Sequence, residues 1–206
     1  IGVVLVSLCG GALAQGILPG GHVAPVAGGI VQVVEGKEAR MRRPHTVRLL
    51  LRKGEQFAVR LGCQQVGRYD GSLTYRISSG DGDVLRDGSI PVGGVADVQV
   101  PDAEPGLYTL WLDAGMNSCS VRSDVRHVTY EASETSPLQM IYHAPKLYFW
   151  VPAGAESVSL TVGGGGKNEA AAFSVYDASG GIVAEGNSHA DKGTVTMAVG
   201  ADQDGT

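Results

Sequence analysis

Phe173 to Asn187 reads FSVYDASGGIVAEGN, and Tyr75 to Ser89, 98 residues upstream, reads YRISSGDGDVLRDGS. Each is an alternating apolar run, a Gly-containing turn and a second apolar run, the pattern of a β-hairpin. Superposed, Tyr75 meets Phe173, Ile77 meets Val175, Gly82 meets Gly180 and Gly88 meets Gly186. Val84 and Leu85 fall on Ile182 and Val183, and Asp87 on Glu185. One hairpin design occurs twice, and the rest of the chain is read around it.

The likeness extends outward from the hairpins. Val47, Leu49, Leu51 and Gly54 fall on Leu147, Phe149, Val151 and Gly154. After one inserted residue, Val59 and Leu61 fall on Leu160 and Val162. Val98, Val100 and Gly106 fall on Met197, Val199 and Gly205 after one further shift. Self-similarity kept in order over four segments points to a duplicated module. The fold expected is all-β, with two tandem antiparallel β-sandwich modules of jelly-roll or immunoglobulin-like type. Module one spans 44–131, a linker 132–137, and module two 138–206. In module one Gly106 opens the strong strand GLYTLWLD, whereas Gly205 is followed only by Thr206, so module two is expected to be truncated at its C-terminal side.

Module one predicts strands near 46–52, 56–62, 72–78, 83–86, 95–100 and 106–113, and a span 119–130 broken near Ser123 or Asp124. Short strands at this spacing suggest a sandwich. Val47, Leu49 and Leu51 are placed in the core, Arg48 and Arg52 in solvent, and Leu50 breaks the alternation. On the strand 106–113 Trp111 is out of phase with Tyr108, Leu110 and Leu112, and either set can be the buried one.

With 18 % charged residues, 31 glycines and a formal charge of -5, the chain has no basic patch for a phosphate backbone. A nucleic-acid partner is not expected. RMRR, residues 40–43, is the only basic run and reads as a solvated approach to a strand.

Ile1 to Leu8, IGVVLVSL, is apolar and uncharged, and Ala12 and Ala14 form a small-x-small site before Gln15. This matches the end of a secretory signal peptide, residues 1–14, cleaved after Ala14. A lipid-modified Cys9 would want a small residue where Leu8 stands, and a membrane anchor is broken by the following glycines. The expected location is secreted or periplasmic, with no membrane contact beyond the export signal. Residues 15–43 read as a Gly/Pro-rich linker carrying one strand-like run, IVQVV at 30–34, either a first strand of module one or an edge piece.

Beyond the signal peptide the cysteines are Cys63 and Cys119, both in module one. In an exported chain such a pair reads as a disulfide. Asp81, Asp83 and Asp87 lie in or beside the first hairpin turn. They offer the oxygen ligands calcium takes, but a tight turn selects the same residues, and no EF-hand loop is completed. No other cofactor is indicated. In LYFWV the core phase of Leu147, Phe149 and Val151 puts Tyr148 and Trp150 on the opposite face. There they can form a platform for sugar rings or pack on a neighbouring domain of the same chain. No Gly-x-Ser-x-Gly elbow, phosphate loop or histidine pair appears, and no acid–base constellation is found.

The second module resembles the small β-sandwich modules of the bacterial pre-peptidase C-terminal type, through Phe149, Pro152, Gly154, Val175, Tyr176, Asp177 and Gly180. Module one matches the same outline through Gly54, Ile77, Gly82 and GLYTL. The resemblance implies an accessory module of a secreted enzyme, with no catalytic residue to carry over. The function expected is a non-catalytic accessory or interaction region of a longer secreted bacterial protein. The alternatives are a carbohydrate-binding module using Tyr148 and Trp150, and the accessory region of a hydrolase whose catalytic domain lies beyond residue 206.

Overall fold

The computed structural model describes residues 2–9, 30–34, 40–125, 127–132, 137–141, 147–149, 156–164, 170–177, 179–188 and 193–198. Among them there are strands and no helix. The strands are β1 (Gly2–Cys9), β2 (Ile30–Val34), β3 (Pro44–Leu51), β4 (Phe57–Gln64), β5 (Leu73–Ser78) and β6 (Val84–Ile90). They continue with β7 (Val95–Val100), β8 (Gly106–Asp113), β9 (Ser118–Ser123), β10 (His127–Ala132) and β11 (Leu138–Met140). The last are β12 (Leu147–Phe149), β13 (Ser157–Gly164), β14 (Ala171–Tyr176), β15 (Ile182–Ser188) and β16 (Gly193–Ala198).

The molecule is all-β, and every described pairing is antiparallel. A seven-stranded sheet runs β12-β2-β10-β3-β8-β5-β6, and a three-stranded sheet runs β7-β4-β9. Their inner faces share one core. Val47, Leu49, Leu51, Leu73, Ile77, Leu110 and Leu112 come from the larger sheet, and Phe57, Val59, Leu61, Val98 and Val121 from the smaller. This is a sandwich, two sheets burying one apolar face each. Period-2 alternation produces it directly. On β3 Val47, Leu49 and Leu51 are buried as expected, and on β8 the buried phase is Tyr108, Leu110 and Leu112. Tyr108 meets Phe57 across the core at a centroid distance of 4.9 Å. Its hydroxyl donates to the Glu104 carbonyl at 2.6 Å, tying the turn before β8 to the strand itself.

Two further sheets lie beside this sandwich, β11-β1-β13-β16 and the two-stranded β14-β15. Val158, Leu160 and Val162 of β13 are buried, and so is Val175 of β14. Met41 bridges β9 of the three-stranded sheet and β11 of the four-stranded sheet, pairing with Cys119 on one side and Met140 on the other. Met41 N donates to Cys119 O at 2.9 Å and Cys119 N to Met41 O at 2.8 Å. Arg42 N donates to Gln139 O at 3.0 Å and Ile141 N to Arg40 O at 2.9 Å.

This joint corrects the reading of residues 40–43 as a solvated approach to a strand. Met41 is fully buried and Arg42 nearly so. An Arg40 Nη donates to Ser118 Oγ at 2.7 Å, and an Arg42 Nη to the Met116 carbonyl at 2.5 Å. Only Arg43 is exposed. Arg48 is also not in free solvent. It bonds Glu131 Oε1 through Nε at 2.7 Å and Thr109 Oγ1 at 2.8 Å, because both lie on flanking strands of the same face. Leu50 is buried, on the face opposite Leu49 and Leu51. The run at 30–34 is not an edge piece but an inner strand, between β10 and β12, and it is the first strand of the seven-stranded sheet in chain order. The predicted break in 119–130 falls between β9 and β10.

The hairpins match in detail. β5–β6 and β14–β15 each have a register shift, between Ile77 and Ser78 and between Val175 and Tyr176, equivalent positions 98 residues apart. Gly82 and Gly180 adopt φ of 92° and 88°, a left-handed conformation that favours glycine. Tyr75 stands directly across from Gly88, and Phe173 from Gly186. A side-chain carbon on Gly88 would lie 2.8 Å from Tyr75 Oη, and one on Gly186 2.5 Å from the Phe173 ring. In both hairpins an aromatic ring covers a glycine on the partner strand.

The segment read as a signal peptide contributes β1, whose backbone pairs along its whole length with β13.

Candidate functional site

The outer face of the seven-stranded sheet carries the most distinctive exposed chemistry. Alternation on β8 sends Leu110 and Leu112 inward and Trp111 outward, where it is 37 % exposed. In register beside it are Thr46 on β3 and Arg76 on β5, and Asp87 on β6 lies across from Arg76. A carboxylate, a guanidinium, an indole and a hydroxyl thus line up across four strands. The next row holds Ser78, Thr109, Arg48 and Thr129. There Arg48 is fixed by Glu131, with Nη2 2.5 Å from Oε1. Towards β10 the same face is covered, since Leu50 and Thr129 are buried. An exposed indole flanked by donors and acceptors can stack on a sugar ring or a planar cation while its neighbours form hydrogen bonds.

A second feature is an open groove of about 330 Å³ over β4, β7 and β9, lined by Arg60, Asp97, Gln99, Arg122 and Asp124. Arg60 and Asp97 lie 3.6 Å apart and are largely exposed, so this pair adds little energy. Its charges are mixed and select no single class of ligand.

His45 points into the core from β3 and is 1 % exposed, with neither ring nitrogen in a hydrogen bond. Burial pushes its pKa down to about 4, and the nearby Arg42 and Gln139 backbone and the Asp113 carboxylate offset only part of that. Nothing in the residue pattern marks this position, since His45 follows Pro44 and shares no spacing with another ligand type. Asn117, also buried, is a fixing point. Its Oδ1 accepts from Val66 N at 3.0 Å and its Nδ2 donates to Gly71 O at 2.7 Å, holding the loop after β4 against the turn before β9.

The expected disulfide is absent, and Cys63 and Cys119 are free buried thiols. They are brought together as direct cross-strand partners of β4 and β9. Cβ atoms of such partners stand about 4.5–5.5 Å apart, wider than the roughly 3.8 Å typical of a disulfide. Burial raises both thiol pKa values, that of Cys119 to about 12, so neither is a ready nucleophile.

Asp81, Asp83 and Asp87 are exposed and serve the hairpin. Asp83 N donates to Ser79 Oγ at 3.2 Å and Ser79 N to Asp83 O at 2.9 Å, while Asp87 faces Arg76. Among the described residues no three His, Cys, Asp or Glu side chains gather as metal ligands. In the second turn Asp177 does the corresponding work. Its Oδ1 accepts from Ser179 Oγ at 2.6 Å, Ser179 N at 2.9 Å and Gly181 N at 2.8 Å. The Ser179 hydroxyl and then the turn's N–H groups hold its carboxyl below the usual range. Trp150 and the side chain of Tyr148 lie outside the described residues; the backbone of Tyr148 pairs with Val33 of β2.

No family model, no curated protein and no solved structure matches the chain.

Proposed function

We propose that this chain is a non-catalytic interaction region of an exported protein, built from two copies of one β-sandwich module. The observation that carries it is Trp111, held exposed on the outer face of the seven-stranded sheet between Thr46 and Arg76. An aromatic platform with flanking polar groups fits the repeating ring surface of a polysaccharide. Beside Tyr148 and Trp150, Trp111 thus offers a second seat for a sugar ring, on module one. The two-copy reading is supported by the matched bulges, turn glycines and ring-over-glycine pairs of the hairpins. Export is supported by the apolar run at 1–8 and the Ala12-x-Ala14 site. In a longer protein the region would act as an accessory to a catalytic domain elsewhere, as the resemblance to pre-peptidase C-terminal modules implies.

The test is retention on insoluble polysaccharides with Trp111→Ala, read beside indole fluorescence in a Trp150→Phe background. Loss of one stacked ring should weaken retention about tenfold or more, taking an aromatic contact at roughly 1.5 kcal/mol. Retention equal to that of the unaltered chain would remove the platform reading.

A further inference from the structure

Strand β13 lies between β16 and β1, and in the first region β4 lies between β7 and β9. The repeat equates β4 with β13, through Val59 and Leu61 against Leu160 and Val162, and β7 with β16, through Val98 against Met197. On that equation β1 holds the place of β9. The larger sheet agrees: β10 borders β3, β2 borders β12, and the repeat equates β3 with β12. In the first region the two completing strands, β9 and β10, follow in its own sequence. In the second region the same two places are filled by β1 and β2, which precede both copies.

We propose that the seat of β1, between β11 and β13, is a strand-acceptor site that takes an extended segment of a partner polypeptide once β1 has left it. The chemistry of the segment is set by the walls. Val158, Leu160 and Val162 of β13 are buried at alternate positions, in register with Leu8, Val6 and Val4 of β1. Leu138 and Met140 of β11 are buried on the other side. Neither wall, SVSLTVGG nor LQM, carries a charge. The segment is therefore uncharged, apolar at alternate positions and about eight residues long, and it runs antiparallel to both walls. An empty seat would leave a row of backbone donors and acceptors on an apolar strand without partners, which drives capture of a new strand. The proposal rests on the two-copy reading for the identity of the seat. Cleavage after Ala14 is the event that would remove β1.

The experiment uses the full chain with a protease site inserted between Gln15 and Gly21, cut after folding. The probe is a fluorescent peptide of residues 2–9 carrying Cys9→Ser. The cut N-terminal piece is expected to co-elute with the body, and excess probe to replace it one for one. A probe with Leu5→Pro, which lacks one backbone donor, should bind at least about tenfold more weakly. Separation of the cut piece without probe uptake overturns the proposal. So does co-elution with no exchange after partial unfolding and recooling, or equal uptake of the proline probe. Should the cut chain precipitate, the uncut chain with Val6→Pro gives the second reading. Amides of 157–164 should lose hydrogen-exchange protection and regain it with the probe, and unchanged protection counts against the site. The two supporting readings fail separately. The mass of chain recovered from an exporting host reports on cleavage, and the paired Gly88 and Gly186 substitutions described below report on the two copies.

Discussion

The two hairpins share turn, bulge and ring-over-glycine geometry, yet they stand in different surroundings. β5–β6 continues into a seven-stranded sheet because β8 pairs along β5, from Thr74 to Ser78. β14–β15 forms a sheet of two strands among the described residues, although β15 packs beside β16 as β6 does beside β7. Ile77 is fully buried, whereas Val175 retains 7 % exposure, and Leu85 packs on the core where its counterpart Val183 is exposed, although Val84 and Ile182 are exposed alike. The hairpin is thus encoded locally, by alternation and turn glycines. Its stability is a tertiary property that depends on a third strand and an opposing sheet.

The strongest way to break this comparison is to cut the core beneath each hairpin. Ile77→Ala should cost about 4 kcal/mol, and Val175→Ala about half of that, by urea denaturation. Equal costs would mean that the second hairpin is as well packed as the first. Acid should act on the first region through His45. His45 is neutral in the fold with a pKa of about 4 against 6.5 unfolded, so the unfolded chain gains a proton first as pH falls. This contribution to stability is intact above pH 6.5, falls by about 3 kcal/mol as pH drops to about 4, and then levels off. His45→Leu should flatten that slope in melts run from pH 7 to 4, and an unchanged slope would assign the acid effect elsewhere.

A smaller and more pointed test adds a methyl under each ring. Gly88→Ala should displace Tyr75 and cost about 2 kcal/mol, and Gly186→Ala should displace Phe173 at a lower cost, because its sheet can yield. A ring-current shift at only one of the two sites would count against a common hairpin design. The smallest effect is expected at the second turn. Asp177→Ala should speed amide exchange at Ser179 and Gly181 while leaving the Ser79–Asp83 turn untouched, since there a serine hydroxyl does the same work.

Much of module one was legible because its strands alternate cleanly. The phase of Val47, Leu49 and Leu51, the strands 95–100 and 106–113 and the break after Ser123 all follow from period 2. Superposing the two hairpins paired Tyr75 with Phe173 and Gly88 with Gly186, but it could not show that each ring covers its own glycine. That contact depends on pairing register, which the bulge shifts. Arg40 to Arg43 misled because charge suggests solvent, while the structure buries Met41 and nearly all of Arg42, guanidinium nitrogen included, in a joint between sheets. Alternation alone leaves the phase of Trp111 open, and its exposure is decided by which face of β8 meets β4. Cys63 and Cys119 were correctly placed near one another, but spacing alone could not tell a bond from two facing thiols. His45 was missed because a single buried histidine leaves no pattern in a sequence.

The joint at Met41 has a mechanical side. Four backbone hydrogen bonds, all within Arg40 to Arg42 on one side, connect β9 and β11 across it. Pulled along the strand direction, these bonds share the load and must yield together. Pulled sideways, they open one after another like a zip. The direction of tension on the chain, more than its size, would then decide whether the two regions stay clasped or part.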